Sequence, residues 1–108
     1  MSAESLYKDS IKYLHLISTD TGNPLYAQPE PIYLVSLTMN SNTGFEILAL
    51  YNGPAVAAND LVSSFLVHNW SPGSTIVFNL PLDRGFTIVR AVASNDLTIA
   101  YRGPVIVV

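Results

Sequence analysis

The sequence of 108 residues contains no cysteine, which excludes disulfides, zinc–thiolate sites and a cysteine nucleophile. Charge is also scarce: charged residues make up 12% of the chain, against about 25% in ordinary soluble domains, and the formal net charge is −3. The five basic residues are spread singly along the sequence. Because a phosphate-binding surface needs clustered lysine and arginine, we expect no nucleic-acid partner.

Long hydrophobic segments are missing as well. No run approaches the ~20 apolar residues that a membrane helix requires, so we expect no membrane partner. The first residues, Met1 to Asp9, have neither the basic head nor the hydrophobic segment of a secretory signal, which predicts synthesis and folding in a cytoplasm. Their closely spaced charges set residues 1–10 apart as a flexible N-terminal arm or a short helical lead-in, and residues 11–108 form one domain.

Helical periodicity is nearly absent, and apolar residues alternate with other residues at a period of two. The alternating segments lie within residues 11–17, 33–39, 45–51, 76–80, 86–89 and 97–101, and residues 105–108 form a last β-branched run. Clusters of Gly, Pro, Asn and Asp separate these segments at a spacing of about 8–12 residues. The sequence therefore predicts an all-β fold, an antiparallel β-sandwich that is jelly-roll-like and has seven to eight strands.

Residues 57–69 are compatible with two structures. Residues 57–60 suit the start of a short helix that continues to Leu66, because Asn and Asp are common at helix starts. Alternatively, residues 62–69 form another strand that ends at Trp70. We favour the strand, since valine and aromatic residues fit a pleated sheet.

Candidate catalytic groups are few. His15 and His68 are the only side chains that titrate near neutral pH, and no G-x-S-x-G nucleophile motif is present. His15 alternates with apolar residues, so we expect it to be packed and hydrogen-bonded rather than catalytic. The loops at residues 20–23 and 40–44 lack the carboxylates of calcium-binding loops, and the glycines do not cluster as in phosphate-binding loops. We therefore expect no enzymatic activity, no cofactor and no metal site.

Uncharged polar residues take the place of the missing charges. The chain has 11 Ser, 7 Thr and 8 Asn, and between Pro31 and Leu82 the only formal charges are Glu46 and Asp60. Two interpretations stay open. The protein is either simply a neutral β-protein, or a subunit whose surface is largely covered by neighbours in an assembly.

Two features are candidates for contacts with other molecules. The chain ends in Val105, Ile106, Val107 and Val108, where most chains have polar, frayed residues. We expect these four side chains to be buried in their own sheet or against another subunit, which makes them candidate subunit-interface residues. Trp70 precedes Ser-Pro-Gly in a predicted loop, so it is a candidate ligand or partner contact that offers a stacking surface to a sugar or a protein.

The order of features from Pro31 to Arg102 resembles a known family. A strand ending in Leu48-Ala-Leu-Tyr-Asn-Gly53 is followed by Gly73-Ser-Thr-Ile-Val-Phe-Asn-Leu-Pro81, then by Arg84-Gly-Phe-Thr-Ile-Val89 and by Asn95-Asp-Leu-Thr-Ile-Ala-Tyr101. This order is similar to that of the small β-sandwich accessory proteins of tailed-bacteriophage virions, especially the head decoration or cement proteins.

The resemblance implies a non-enzymatic structural protein. The protein would be a homo-oligomer, for example a trimer. It would be assembled in the host cytoplasm and would reside in the virion. There it would stabilise the phage head by contacts with the major capsid protein or another virion protein. The alternative is a sugar- or receptor-binding module of a phage tail or fibre.

Overall fold

The computed structural model of the protein describes residues 3–41, 44, 46–67 and 72–108. Two short 3₁₀ helices, Ala3–Lys8 and Ala58–Asp60, accompany the strands. The described residues form eight strands: β1 (Lys12–Leu16), β2 (Gly22–Gln28), β3 (Ile32–Ser41), β4 (Glu46–Tyr51), β5 (Leu61–Val67), β6 (Thr75–Leu82), β7 (Phe86–Val92) and β8 (Asp96–Arg102).

The strands form two antiparallel sheets of four strands each, which pack face to face as a sandwich. The strand order is β1-β8-β3-β6 in one sheet, called the β1 sheet below, and β2-β7-β4-β5 in the other, the β2 sheet. The prediction of an antiparallel β-sandwich is therefore confirmed.

The pairing also gives the sandwich its jelly-roll topology. Four pairs, β1 with β8, β2 with β7, β3 with β6 and β4 with β5, match the first half of the chain to the second half in reverse order. The chain thus resembles one long antiparallel ribbon. Two further pairings, β8 with β3 and β7 with β4, roll this ribbon into two sheets.

The core lies between the sheets and is supplied by alternate positions of the strands. In β1, for example, Leu14 and Leu16 are buried, whereas Tyr13 and His15 are exposed. Each fully buried aliphatic or aromatic side chain contributes about 1.5–3 kcal/mol to stability. The core residues with almost no exposure include Leu16, Ile32, Leu34, Leu37, Met39, Leu48, Leu50, Leu82, Phe86, Ile88, Leu97, Ile99 and Tyr101.

One strand was not foreseen. β2 contains Gly22, Asn23 and Pro24, which sequence patterns assign to a turn. The structure nevertheless pairs this segment with β7, with a register shift between Gly22 and Tyr26. β2 lies at the edge of its sheet, where a proline without an amide proton interrupts no second ladder, and this explains why the turn residues are tolerated.

Residues 57–69 and the segment before β1 were each compatible with two structures. The preferred strand in residues 57–69 is present as β5, and the short 3₁₀ helix Ala58–Asp60 precedes it. Before β1, the helical lead-in is present as Ala3–Lys8, and its Leu6 is only 4% exposed. The flexibility of residues 1–10 stays a prediction.

Antiparallel strands place successive connections at opposite ends of the sandwich. The β1–β2 and β7–β8 connections and Gly44, between β3 and β4, lie at one end, called the loop end below. The β2–β3, β4–β5 and β6–β7 connections lie at the other end together with both chain termini, and this end is called the terminal end.

Candidate functional surfaces

A buried ion pair lies at the loop end. Arg90 of β7 and Glu46 of β4 both have side chains with 0% exposure. The guanidinium binds the carboxylate in a bidentate manner, with Nε donating to Oε2 at 2.5 Å and Nη2 to Oε1 at 3.0 Å. Arg90 also donates to three main-chain carbonyls, those of Ile17 (2.5 Å), Asp20 (3.4 Å) and Asn95.

The carboxylate of Glu46 extends this network. Its Oε1 accepts hydrogen bonds from the amide of Ser94 at 3.2 Å and from Nδ2 of Asn95 at 3.4 Å. Asn95 in turn bonds the main chain of Gly44, donating to its oxygen at 3.1 Å and accepting from its nitrogen at 3.3 Å. The network therefore joins three chain connections at the loop end. Because Glu46 and Arg90 do not reach solvent, they hold the fold and are not exposed to a substrate or partner.

One pattern in the sequence indicates this pair. Glu46 precedes Leu48 and Leu50 at the same parity, and Arg90 follows Phe86 and Ile88 at the same parity. A charged residue at an inward position of a predicted strand requires a partner of opposite charge. With so few charged residues in the chain, Glu46 and Arg90 were the available pair inside strands.

A second polar cluster joins two connections at the terminal end. Asp60 pairs with Arg84 at 2.5 Å, and the side chains are 9% and 65% exposed, respectively. The amide of Arg84 donates to Oδ1 of Asn52 at 3.1 Å, and the amide of Asn52 donates to the oxygen of Asp60 at 2.7 Å. Gly85 follows with φ +125°, and a Cβ there would lie 2.3 Å from the oxygen of Gln28. Only glycine fits this close approach.

Tyr26 is half-buried beside this end of the sandwich. Its hydroxyl donates to Oε1 of Gln28, whose Nε2 donates to the oxygen of Glu30 at 2.8 Å. Burial raises the pKa of Tyr26, and the negative charges of Glu30 and of ionised Tyr101 raise it further. A raised pKa keeps the phenol protonated at neutral pH, which suits a hydrogen-bond donor rather than a base.

The expectation that His15 is packed is wrong. Its side chain is 56% exposed, and Nε2 lies 4.0 Å from Oδ2 of Asp96, whose side chain is 42% exposed. His15 faces outward because the inward positions of β1 are Leu14 and Leu16. An exposed pair at this distance contributes little to stability. The other histidine, His68, lies outside the described residues.

The C-terminal segment only partly fulfils its prediction. Residues 105–108 form no strand, because Gly103, with φ +132°, and Pro104 turn the chain away from β8. Ile106 alone is buried, at 5% exposure, and its amide donates to the hydroxyl of Tyr101 at 2.8 Å. Val105, Val107 and Val108 are 69%, 77% and 48% exposed. Burial in their own sheet is therefore wrong for these three valines, and a role in a subunit contact stays a prediction.

The outward residues in the middle of both sheets carry no formal charge, whereas Asp96 and Arg102 lie at the first and last positions of β8. Register across the β1 sheet places two rows of outward residues on all four strands, and shorter rows cross the β2 sheet. The rows of the β1 sheet are Tyr13-Ala100-Ser36-Val77 and His15-Thr98-Thr38-Thr75. Those of the β2 sheet include Ala27-Thr87-Tyr51 and Val89-Ala49, of which Thr87, Val89 and Ala49 are buried within the chain.

The charged residues of the chain lie elsewhere. Glu46 and Arg90 are buried as a pair, and the other charges lie in connections, in the N-terminal segment or at the first or last residue of a strand. The charges outside the buried pair are Glu4, Lys8, Asp9, Lys12, Asp20, Glu30, Asp60, Asp83, Arg84, Asp96 and Arg102. The low charge of the sequence is thus concentrated at the two ends of the sandwich.

The remaining predicted contact, Trp70, lies outside the described residues. Within the described ranges, no cavity or cleft of ligand size is present, and no group of three or more His, Asp or Glu side chains is placed to hold a metal ion. The same part of the chain has no helix that is both long and apolar enough to cross a membrane. The predictions of no enzymatic activity and no cofactor stay predictions.

Comparison of the chain with protein-family models, with curated proteins and with solved structures gave no match. The fold rests on the structure itself, and function has to be argued from the surfaces described above.

Proposed function

We propose that the protein is a non-enzymatic structural subunit that joins a larger assembly, and that this assembly is a phage virion in which it acts as a head decoration or cement-type protein. The observation that carries the proposal is the absence of formal charge from the outward rows of both sheets. The cores of protein–protein interfaces are depleted in charged residues, whereas the free surface of a soluble domain usually mixes charges of both signs.

The composition of the outward rows supports a protein partner. Apart from His15, they carry Tyr, Val, Ala, Thr and Ser, which form neutral hydrogen bonds and apolar contacts. Tyr13 and Val77, at the two ends of one row, are 70% and 65% exposed, so apolar surface is available at both edge strands of the β1 sheet. Arginine and lysine at the ends of the sandwich leave these faces accessible to a neutral partner surface.

The fold is consistent with this proposal without proving it. Jelly-roll sandwiches occur in viral capsid proteins and in lectins, and a fold alone does not define a function. The virion assignment therefore depends on the resemblance in strand order between Pro31 and Arg102. In this setting the partners are further copies of the chain, in a trimer, and the major capsid protein or another virion protein.

The test adds single charges to the outward faces and measures incorporation into particles. Val77→Lys and Ala27→Lys place a lysine on an exposed position of each sheet, and Asn59→Lys adds the same charge at the terminal end as a matched control. We expect all three variants to fold, as judged by thermal unfolding. Particles purified from the producing host should contain the control at the wild-type level and at least one sheet variant at a much lower level.

Two results would contradict the proposal. The protein could be missing from purified particles, or both sheet variants could be incorporated as well as Asn59→Lys. Glycan binding by a protein that is absent from the phage head would instead favour the alternative of a sugar- or receptor-binding module.

A further inference from the structure

The sandwich has four edge strands, and three of them carry features that hinder pairing with another strand. β1 contains Lys12 and a second titratable residue, His15. β2 contains Pro24 and a register shift. β6 contains Pro81, and a register shift accompanies Asn79, whose φ is +46°. Charged residues, prolines and bulges are the usual means by which an exposed sheet edge avoids pairing with another chain.

The fourth edge strand, β5, lacks two of these means. Its sequence, Leu-Val-Ser-Ser-Phe-Leu-Val, contains neither proline nor a charged residue. The single register shift lies at its start, opposite Leu50 and Tyr51, and the pairing with β4 is regular from Ser63 to Val67. No described strand pairs with the other side of β5, because β5 is the last strand of the β2 sheet. Within the described residues, the outer backbone groups of β5 therefore have no partner strand.

We propose that β5 pairs with β5 of a second copy of the chain, antiparallel and about a two-fold axis near Ser64, the middle residue of the strand, so that the two β2 sheets become one continuous eight-stranded sheet. This inference rests on the proposed assembly function and names one of its contacts. A two-fold contact is self-complementary, so each copy presents the same strand to the other.

The charge distribution favours a second copy as the partner. Self-pairing places identical residues close to one another, and any charge on the strand would face a like charge. β5 has no charge, and the nearest carboxylate in the chain, that of Asp60, is already paired with Arg84 at 2.5 Å. The strand also has apolar residues at both ends, Leu61 and Val62 at one and Leu66 and Val67 at the other. Antiparallel self-pairing therefore brings apolar ends together.

The C-terminal segment of a second copy is another apolar segment that could pair with β5, but it already makes contacts within its own chain. Ile106 is buried in the core of its own chain, and its amide bonds the hydroxyl of Tyr101 at 2.8 Å. Adding this segment to β5 of another copy would require these contacts to break. Pairing of β5 with itself leaves them intact.

Single cysteines test the contact directly, because the chain has no cysteine and any disulfide must join two chains. Disulfides require Cα atoms about 4.4–6.8 Å apart, a separation that directly opposed residues of an antiparallel pair satisfy. Ser64→Cys is made in the full chain, with Asn23→Cys on β2 and Leu80→Cys on β6 as controls at exposed positions of other edges. Under mild oxidation, we expect the Ser64→Cys variant to form covalent dimers at least about tenfold faster than either control.

A charge variant provides a second measurement. Ser64 is opposite Ala49 in the register, not opposite the core residues Leu48 and Leu50, which makes it the suitable position. Ser64→Lys should weaken dimerisation by about tenfold or more, since like charges would be juxtaposed across the axis. The control Ser18→Lys, at an exposed serine of the β1–β2 connection, should not. Sedimentation gives the dissociation constant of the dimer, and thermal unfolding confirms that both variants are folded.

The outcomes separate this inference from the proposed function. Equal cross-linking at β5 and at the control edges, or unchanged association of a folded Ser64→Lys protein, overturns the β5 contact. If the protein is then still incorporated into particles, the proposed function stands without it. A β5 dimer in a protein that is absent from particles supports the contact and overturns the virion assignment. A trimer in solution with no β5 cross-links also overturns it, because a two-fold contact cannot by itself close a ring of three.

Discussion

Removing the positive charge of the buried ion pair should destabilise the protein strongly. Arg90→Met keeps a long unbranched side chain but leaves the carboxylate of Glu46, with 0% exposure, without its cation. Breaking a buried pair by removal of one partner costs about 3–5 kcal/mol. The carbonyls of Ile17 and Asn95 lose donors as well, which places the expected loss in the upper part of that range.

This loss is large compared with the stability of a typical domain, which is about 5–15 kcal/mol. Urea unfolding of Arg90→Met should show the full reduction in the free energy of unfolding, and Tm should fall by at least ~12 °C. Arg84→Met is the matched control, because it breaks the pair with Asp60 from the exposed side, and it should cost clearly less than Arg90→Met, whose partner Glu46 is 0% exposed.

A double variant separates the unpaired charge from lost packing. Glu46→Leu combined with Arg90→Met removes both charges, and hydrophobic replacement of a whole buried pair is much less costly than removal of one partner. The double variant should therefore be more stable than Arg90→Met alone. The reasoning would be refuted if Arg90→Met lost no more than Arg84→Met, or if the double variant were less stable than the single one.

Three further predictions concern the chain end, a tyrosine and the tryptophan. Ile106→Ala should lower the free energy of unfolding by about 2–5 kcal/mol, as measured by urea unfolding. Val107→Ala should change it by no more than about 0.5 kcal/mol. If the chain end lies in a subunit contact, Val107→Ala should weaken association, which sedimentation measures. Because burial raises the pKa of Tyr26, the stability linked to its proton is present below about pH 10 and is lost at higher pH. An ultraviolet titration should show this late-ionising phenol, and Tyr26→Phe should abolish it. If the protein binds sugars through Trp70, glycans should shift its fluorescence and Trp70→Ala should remove binding without unfolding the protein; no response across a broad glycan panel would contradict that alternative.

The sequence allowed the fold class to be predicted because alternation at a period of two is a local property. Leu14 and Leu16 of β1 and Leu48 and Leu50 of β4 show the inward positions without any knowledge of their partners. The predicted number of strands was correct although two segments were misassigned. The run at residues 105–108 is not a strand, and the segment Gly22–Gln28 is one. Turn-forming residues do not prevent strand formation at a sheet edge, because only one side of an edge strand needs hydrogen bonds to a neighbouring strand.

The polar networks were harder to predict because they depend on register between distant segments. Glu46 and Arg90 are 44 residues apart in the chain, and Asp60 and Arg84 are 24 apart. A scarcity of charge is visible in the composition, but the positions of the charges at the two ends of the sandwich become visible only when the strands are paired. The prediction that His15 is packed failed for the same reason. Alternation defines two faces of a strand, and only tertiary packing shows which face is inside.

The placement of the charges favours the second of the two interpretations that the sequence left open, that of a subunit covered by neighbours in an assembly. If low charge were merely a compositional feature, the few charges present would be expected on outward strand positions as often as in connections. Instead, rows such as Tyr13-Ala100-Ser36-Val77 cross four strands without a charge, while the ends of the sandwich carry nearly all of them. An uncharged sheet surface raises the hazard of edge-to-edge association, and three of the four edges carry lysine, proline or a bulge against it. β5 has neither charge nor proline, and pairing with the same strand of a second copy would cover this edge, which is why the proposed contact and the low charge of the sheets belong to one argument.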